Sequence, residues 1–243
     1  MKLMLIGGGN NGHNNHPYET KEIDEEVVRM TNKENPVFLF IGLASSFSDS
    51  YYDVMKEIYK KLGCKTTYLK KSNILNNPDI VRKKISEADI IYMSGGDTTK
   101  LVKTLKEYHI DELLFEAADR GCVLSGISAG ANAIARNGLS DYQIINNISE
   151  NYAFTGGLGI LDIDICPHAD DLKRQKDLKT SLKDTNKKVL ALDNGTALKV
   201  EDENFTIVKS LPNAKARLVY WENNSWIEEE YSQDKINIKT KNK

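Results

Sequence analysis

Residues Gly121–Ala135 read GCVLSGISAGANAIA, and this stretch decides the fold. Cys122, Val123 and Leu124 form a short apolar run of the kind that makes a buried strand. Ala129 to Ala135 are small or helix-favouring residues and predict the opening of a helix. Between them Gly126-Ile127-Ser128-Ala129-Gly130 fits G-x-S-x-G. A serine on a sharp strand-to-helix turn is held in strained backbone geometry with side chains crowding on both sides. Glycines two positions either side relieve the clash and leave the hydroxyl exposed above the sheet edge. The helix that follows would aim free N–H groups and its positive dipole end at the site, which suits a developing oxyanion. The plainer alternative is a tight Ser/Gly turn; the strand before it and the helix after it favour a nucleophile.

On the N-terminal side of this stretch the pattern alternates steadily. Lys2–Ile6 predicts a first strand, continuous and apolar as in a sheet buried on both faces. A helix over Thr20–Thr31, a strand at Val37–Ile41, a helix over Ser50–Leu62 and a strand at Thr66–Leu69 follow. A helix from Pro78 to Ala88, with proline at its start, then leads to a strand at Asp89–Met93 and a helix pair over Thr98–Arg120. Strands alternating with helices of about 10–15 residues mean βαβ units and a parallel sheet covered on both faces. Beyond the elbow, Leu161–Cys166 predicts a strand and Asp170–Lys183 a helix. Val189–Leu192, Thr196–Val200, Phe205–Lys209 and Arg217–Trp221 predict strands that extend or flank the sheet. No internal repeat, low-complexity segment or linker interrupts residues 1–243, so a single α/β domain is expected.

Gly7-Gly8-Gly9-Asn10-Asn11-Gly12 satisfies G-x-G-x-x-G after the first strand. The dinucleotide fingerprint requires a helix to open at once, so that pyrophosphate can sit on its N-terminus. Here the glycines run into His13-Asn14-Asn15-His16-Pro17, and the second strand is followed by Leu-Ala-Ser-Ser rather than by an acid for a ribose. A loop at the carboxyl edge of the sheet is the better reading, and His13 and His16 lack the acid or cysteine pattern of a metal site.

Composition narrows the partners. The net charge of −2 is spread over interspersed acids and bases, which gives no footprint for nucleic acid or a membrane surface. Cys64, Cys122 and Cys166 are far apart, odd in number and free of C-x-x-C. Reduced thiols in a cytosolic protein are therefore expected, rather than a disulfide frame or zinc. The apolar run before Gly7 is too short for a signal peptide. No stretch approaches the roughly 20 apolar residues that cross a bilayer. Both a monomer and a homodimer are compatible with the sequence.

A serine hydroxyl needs an imidazole base, itself oriented by a third group. Of the four histidines, His168 follows a strand end behind a stiffening proline and is the best base. His109 ends a helix and is expected to serve the dipole or a cap. Asp141 lies between Ser128 and His168, at the expected end of the elbow helix, and is the first candidate for the acid. Glu150 is the alternative and Asp193 a third. Ser94-Gly95-Gly96-Asp97-Thr98 follows the strand before the elbow, where ligands bind in parallel α/β folds.

Gly126–Asn132, preceded by Gly95-Gly96-Asp97-Thr98 and followed by Pro167-His168, resembles the peptidase E family, also called S51, which holds aspartyl dipeptidases and the related cyanophycinases. Gly138-Leu139-Ser140-Asp141 and Ala191–Leu198 resemble a bacterial dipeptidase-E-like branch, and the likeness is most specific over Asp89–Val200. It implies a three-layer α/β/α sandwich with a mostly parallel sheet, like that of class I glutamine amidotransferases, with a serine in place of their cysteine. It implies Ser128 as nucleophile, His168 as base, Asp141 as acid, and the backbone N–H groups of Gly96 and Ala129 as oxyanion hole. Asp97 stands where the family usually has asparagine, and with Arg174 it is the candidate substrate contact. Lys173, Arg174 and Lys176 follow the histidine at spacings other than those of the cyanophycinase branch, so cyanophycin is not the expected substrate. The expected activity is hydrolysis of a short peptide, with an N-terminal aspartate as one option, through an acyl-enzyme and with neither metal nor cofactor. An esterase or acyltransferase using the same groups, and a non-catalytic binding protein on the same fold, are the alternatives.

Overall fold

Alternation along the strands sorts the apolar side chains into separate cores. The computed structural model describes residues 1–12, 16–46, 48–231 and 239–240, so His13 lies outside the described residues. The chain begins with β1 (Lys2–Ile6), α1 (Lys21–Arg29), β2 (Val37–Ile41), α2 (Ser48–Lys61), β3 (Lys65–Leu69), α3 (Lys71–Asn76) and α4 (Pro78–Glu87). It goes on through β4 (Ile90–Met93), α5 (Thr98–Glu107), α6 (Ile110–Asp119), β5 (Val123–Ile127) and α7 (Ala129–Ile134). Then come β6 (Ala135–Ser140), α8 (Tyr142–Ile145), β7 (Ala153–Gly156), β8 (Leu161–Cys166), α9 (Leu172–Leu182) and β9 (Val189–Leu192). The last elements are β10 (Thr196–Glu201), β11 (Asn204–Lys209), β12 (Ala216–Glu222), β13 (Ser225–Glu230) and β14 (Lys239–Thr240).

The first sheet has the order β11-β10-β1-β5-β4-β2-β3. Its five strands β1, β5, β4, β2 and β3 are parallel, as the alternation with helices requires. The hairpin β10–β11 adds two antiparallel strands at the β1 edge. Met4, Ile6, Phe38, Phe40 and Tyr92 point to one face, where α1 and α2 bury Ile23, Val27, Met55 and Tyr59. Leu3, Leu5, Leu39, Ile41 and Met93 point to the other, against α3 to α7. Helices thus cover both faces of the sheet, in an α/β/α arrangement.

A second sheet, of order β13-β12-β9-β8-β6-β7, takes up several of the later strands expected to extend or flank the first. Among the described residues only β6, β8 and β9 are parallel in it. Ile163, Ile165 and Leu190 join the core under α4 to α7, while Cys166, Val189 and Ala191 face Leu178 and Leu182 of α9. Three residues, Asp193-Asn194-Gly195, carry the chain from β9 in the second sheet to β10 in the first. So short a connection cannot make the crossover that a parallel neighbour needs, and the chain changes sheet instead.

The elbow helix is also shorter than expected. It spans only Ala129–Ile134 before the chain becomes β6, so Asp141 follows a strand and not the end of that helix. Asn137 and Gly138 are weak helix formers. Gly138 packs so closely on Asn132 that a Cβ there would lie 1.9 Å from its Oδ1. Arg136 reaches across to β8, 2.8 Å from both Asp162 and Asp164, which holds the strand pairing instead.

One further device pins the glycine loop after β1. Asp24 on α1 is fully buried and accepts from Tyr18 Oη (2.9 Å), Thr20 Oγ1 (2.8 Å) and Tyr59 Oη (2.9 Å). Asn11 in the loop donates to Thr20 Oγ1 and accepts from Tyr51 Oη. This network ties the loop to both helices on that face.

Candidate active site

The site lies where the two sheets meet at their carboxyl ends. Ser128 stands at the end of β5, in the first sheet, with φ 53° and ψ −108°. A non-glycine residue in that region carries about 1–3 kcal/mol of strain, which persists only where the surroundings enforce it. The enforcement is visible in the flanking glycines. A Cβ on Gly126 would lie 2.3 Å from the Gly130 carbonyl carbon, and one on Gly130 would lie 2.1 Å from Met93 O. No side chain fits at either place, which is the physical content of the motif.

His168 follows β8 of the second sheet and also has a positive φ, 51°. Its backbone N–H donates to Gly7 O, which anchors it to the end of β1. Its Nε2 lies 2.9 Å from Ser128 Oγ, a hydrogen bond across 40 residues of sequence. Nδ1 lies 2.7 Å from Asn194 Oδ1. Asn194 is fixed in turn by Asp170, whose two carboxylate oxygens accept from the Asn194 backbone N–H and from Nδ2, each at 3.0 Å. Burial pushes the His168 pKa below its ordinary value, and the Arg174 guanidinium acts in the same direction. The bond to Asn194 and the carboxylates of Asp141 and Asp170 pull the other way.

The group against His168 Nδ1 is therefore Asn194, not any of the three expected acids. Asp141 caps the short α8 with its backbone and lies 3.9 Å from Arg174, near enough to His168 to act on its charge but without a hydrogen bond to it. Glu150 meets α9 through its carbonyl oxygen, which accepts from Lys173 Nζ. Asp193 pairs with Arg217 at 2.7 Å and accepts from the Lys215 N–H at 2.9 Å, a structural role in the same turn. Asp193-Asn194-Gly195 has the composition of an ordinary turn, which hides Asn194 in the sequence; the signal there is its place directly after a predicted strand, Val189–Leu192.

Gly95 faces the serine: a Cβ on it would lie 3.6 Å from Ser128 Cβ. Gly96 has φ +133°, and a Cβ there would strike Ala44 O at 2.6 Å. Among the described residues no hydrogen bond occupies the backbone N–H of Gly96 or of Ala129. Asp97 is not open to a ligand. It is only 7% exposed, its Oδ1 caps α5 through the Lys100 N–H (3.0 Å), and its Oδ2 accepts from Asn146 Nδ2 (2.7 Å). Arg174 is 4% exposed, donates to Leu139 O at 3.0 Å and stacks 4.0 Å over the Tyr152 ring. Lys173 is bound to Asp177 at 2.8 Å, and Lys176 is exposed.

Elsewhere, His109 has φ 54° ahead of α6 and pairs with Glu112 at 3.1 Å rather than capping the helix with its side chain. His16 is exposed. Cys64, Cys122 and Cys166 are free and buried, and burial pushes each thiol up to about 12. Among the described residues no helix is long and apolar enough to cross a membrane, and no group of three His, Cys, Asp or Glu side chains could hold a metal ion.

A strained serine at a strand-to-helix turn, hydrogen-bonded to a histidine on an α/β scaffold, defines the class as a serine-type hydrolase. The sequence profile of Peptidase family S51 matches residues 3–208, and the chain belongs to that family of serine-type peptidases. It is 30% identical over 222 residues to the "Uncharacterized peptidase YgaJ" of Bacillus subtilis (strain 168), covering 88% of this chain and 90% of that one. It is 25% identical over 207 residues to a "Peptidase E" of Shewanella denitrificans, covering 80% of this chain and 83% of the relative. Among solved structures, a peptidase from an acI-B1 Actinobacterium shares the fold with a TM-score of 0.69 at 22% identity, over 95% of this chain and 96% of that one.

Proposed function

We propose that this peptidase hydrolyses short peptides through an acyl-enzyme on Ser128, with His168 as general base and acid and Asn194 as the group that orients the imidazole. Ser128 Oγ bonds to the scissile carbonyl carbon while His168 Nε2 takes the hydroxyl proton. The backbone N–H groups of Gly96 and Ala129 hold the oxyanion; one such donor is worth about 2.7–4 kcal/mol of barrier. The C–N bond then breaks as His168 returns the proton to the leaving amine. Water attacks the resulting ester with His168 again as base, and collapse frees the serine and a carboxylate product.

The observation that carries this reading is the 2.9 Å bond between Ser128 Oγ and His168 Nε2, made by two residues that both have positive φ. We take residues 1–243 as one catalytic unit, because Ser128 and the glycine turn come from one sheet and His168 from the other. Of the two cations that could answer an N-terminal aspartate, Arg174 is buried and already lies 3.9 Å from Asp141, and Lys173 pairs with Asp177 at 2.8 Å. The geometry therefore supports a short peptide more strongly than an acidic one.

The test is a dipeptide library read by mass spectrometry, with Asp-Xaa and neutral Xaa-Xaa members and matching esters, run on the native protein and on Ser128→Ala. Peptide cleavage lost in the variant supports the reading. Turnover of esters alone would move the assignment to an esterase, and binding without any serine-dependent turnover would move it to a binding protein.

A further inference from the structure

We propose that Asp170 is a positioning residue of this site: its carboxylate fixes which end of the Asn194 amide faces His168 and so decides which imidazole nitrogen carries the proton. The inference rests on the hydrolase reading for its consequence, but not for its geometry. A carboxylate can only accept hydrogen bonds. Asp170 holds both the backbone N–H and the Nδ2 of Asn194 at 3.0 Å, so the amide nitrogen has to face Asp170. The amide oxygen is then the atom left for His168, and it lies 2.7 Å from Nδ1. An oxygen acceptor at Nδ1 requires the proton to be there, which leaves the lone pair on Nε2, 2.9 Å from Ser128 Oγ. Polarity thus runs one way from the carboxylate to the serine hydroxyl, and each link is set by the one before it.

An asparagine alone could not do this. Its two ends are nearly the same size, and a flipped amide would offer an N–H to Nδ1 and stabilise the tautomer that cannot accept the serine proton. A wrong tautomer of this kind costs about 10⁴ in turnover in the serine proteases. The charge also reaches the ring. The groups that act on His168 are Arg174 from α9, which disfavours the imidazolium, and Asp141, Asp170 and the Asn194 bond, which favour it. Asp170 also lies near Asp193, whose own carboxylate is held by Arg217 and Lys215.

The geometry further predicts that Asn194→Asp does not give a better triad. It would set a second carboxylate against Asp170 Oδ2 across the 3.0 Å side-chain contact, where like charges oppose each other, while the backbone N–H contact to Oδ1 stays. Exchanging both residues, Asp170→Asn with Asn194→Asp, moves the charge next to the ring and restores a donor facing an acceptor at every link.

Two readouts test this on the full chain. ¹⁵N NMR of the imidazole, assigned to His168 by its loss in His168→Gln, reports tautomer and titration without any substrate. Phosphonylation of Ser128 by a fluorophosphonate reports how well the base activates the serine. Asp170→Asn is expected to mix the tautomers, move the His168 titration to lower pH and slow phosphonylation by about tenfold or more, the usual scale for a lost orienting partner. Asn194→Asp alone is expected to be slow as well, and the exchanged pair to return within about threefold of the native rate, the coupling expected of residues in one hydrogen-bonded network. Native tautomer and native phosphonylation in Asp170→Asn, or an exchanged pair no faster than its single variants, would overturn the proposal. A tautomer that depends on Asp170 in a protein whose Ser128 never labels would uphold the positioning role and remove the hydrolase reading instead.

Discussion

Gly8 leaves no space for a side chain beside His168: a Cβ on it would lie 2.3 Å from the ring Nδ1 and 2.1 Å from Asn194 Oδ1. The carbonyls on either side of the same contact are also used, Gly7 O by the His168 N–H and Gly8 O by the Gly195 N–H, each at 2.9 Å. The G-x-G-x-x-G stretch thus serves the packing of the imidazole. Gly8→Ala is expected to displace the ring or Asn194 and to lower kcat/KM by about 10²-fold, the scale of an ångström-sized misplacement. Phosphonylation rates compared with thermal unfolding of the same variant check this; an unchanged rate in a folded variant would contradict it.

Removal of the proposed nucleophile or base is expected to separate sharply from removal of the acid that the sequence favoured. Ser128→Ala and His168→Gln should abolish measurable peptide turnover. Asn194→Ala should lower kcat by about 10²-fold or more, since the ring loses its orienting bond. Asp141→Asn should cost far less, because that carboxylate makes no bond to the ring. Parallel kcat and KM measurements on the four variants provide the check; equal losses for Asp141→Asn and Asn194→Ala would return the acid to position 141.

The acidic limb of kcat/KM should fall below the usual histidine range near 6.5, because burial and Arg174 both lower the His168 pKa. Arg174→Met removes the positive charge and should move the limb to higher pH, whereas Asp141→Asn should move it lower. The same shift bears on stability. A folded-state pKa below the unfolded value means that the unfolded chain takes up the proton first. The contribution of His168 is therefore present above about pH 6.5 and lost as pH falls through the folded value. A pH–rate profile and urea midpoints across the same range read both effects.

Asp24 behaves in the opposite sense. Burial raises its pKa from 3.8 to about 6 against the lowering effect of the bonds from Thr20, Tyr59 and Tyr18. The folded state holds the proton more tightly than the unfolded one, so this contribution is full below the unfolded value and is lost as pH rises through about 6. A shift of that size amounts to roughly 3 kcal/mol across the window. Asp24→Asn should flatten this part of the pH dependence, seen as the difference between native and variant urea midpoints from pH 4 to 7.

The sequence by itself determined the parallel half of the fold and the place of the serine. Alternation of period about 2 and 3.6 is a local property, and so is the crowding that demands glycines at 126 and 130 around Ser128. It also singled out His168, because a proline and a strand end precede it. Tertiary structure alone decided what stands against Nδ1 of that histidine. Asp193-Asn194-Gly195 spells a turn in any context, and it becomes part of the site only because β9 and β10 lie in different sheets and the three residues bridge them next to β8. Likewise Ala135–Ser140 could end a helix or make a strand; pairing with β7 and β8, and the reach of Arg136 to Asp162 and Asp164, chose the strand, and Asp141 follows it without a bond to the ring. Contacts between residues far apart in the chain set both outcomes, and no local pattern encodes them.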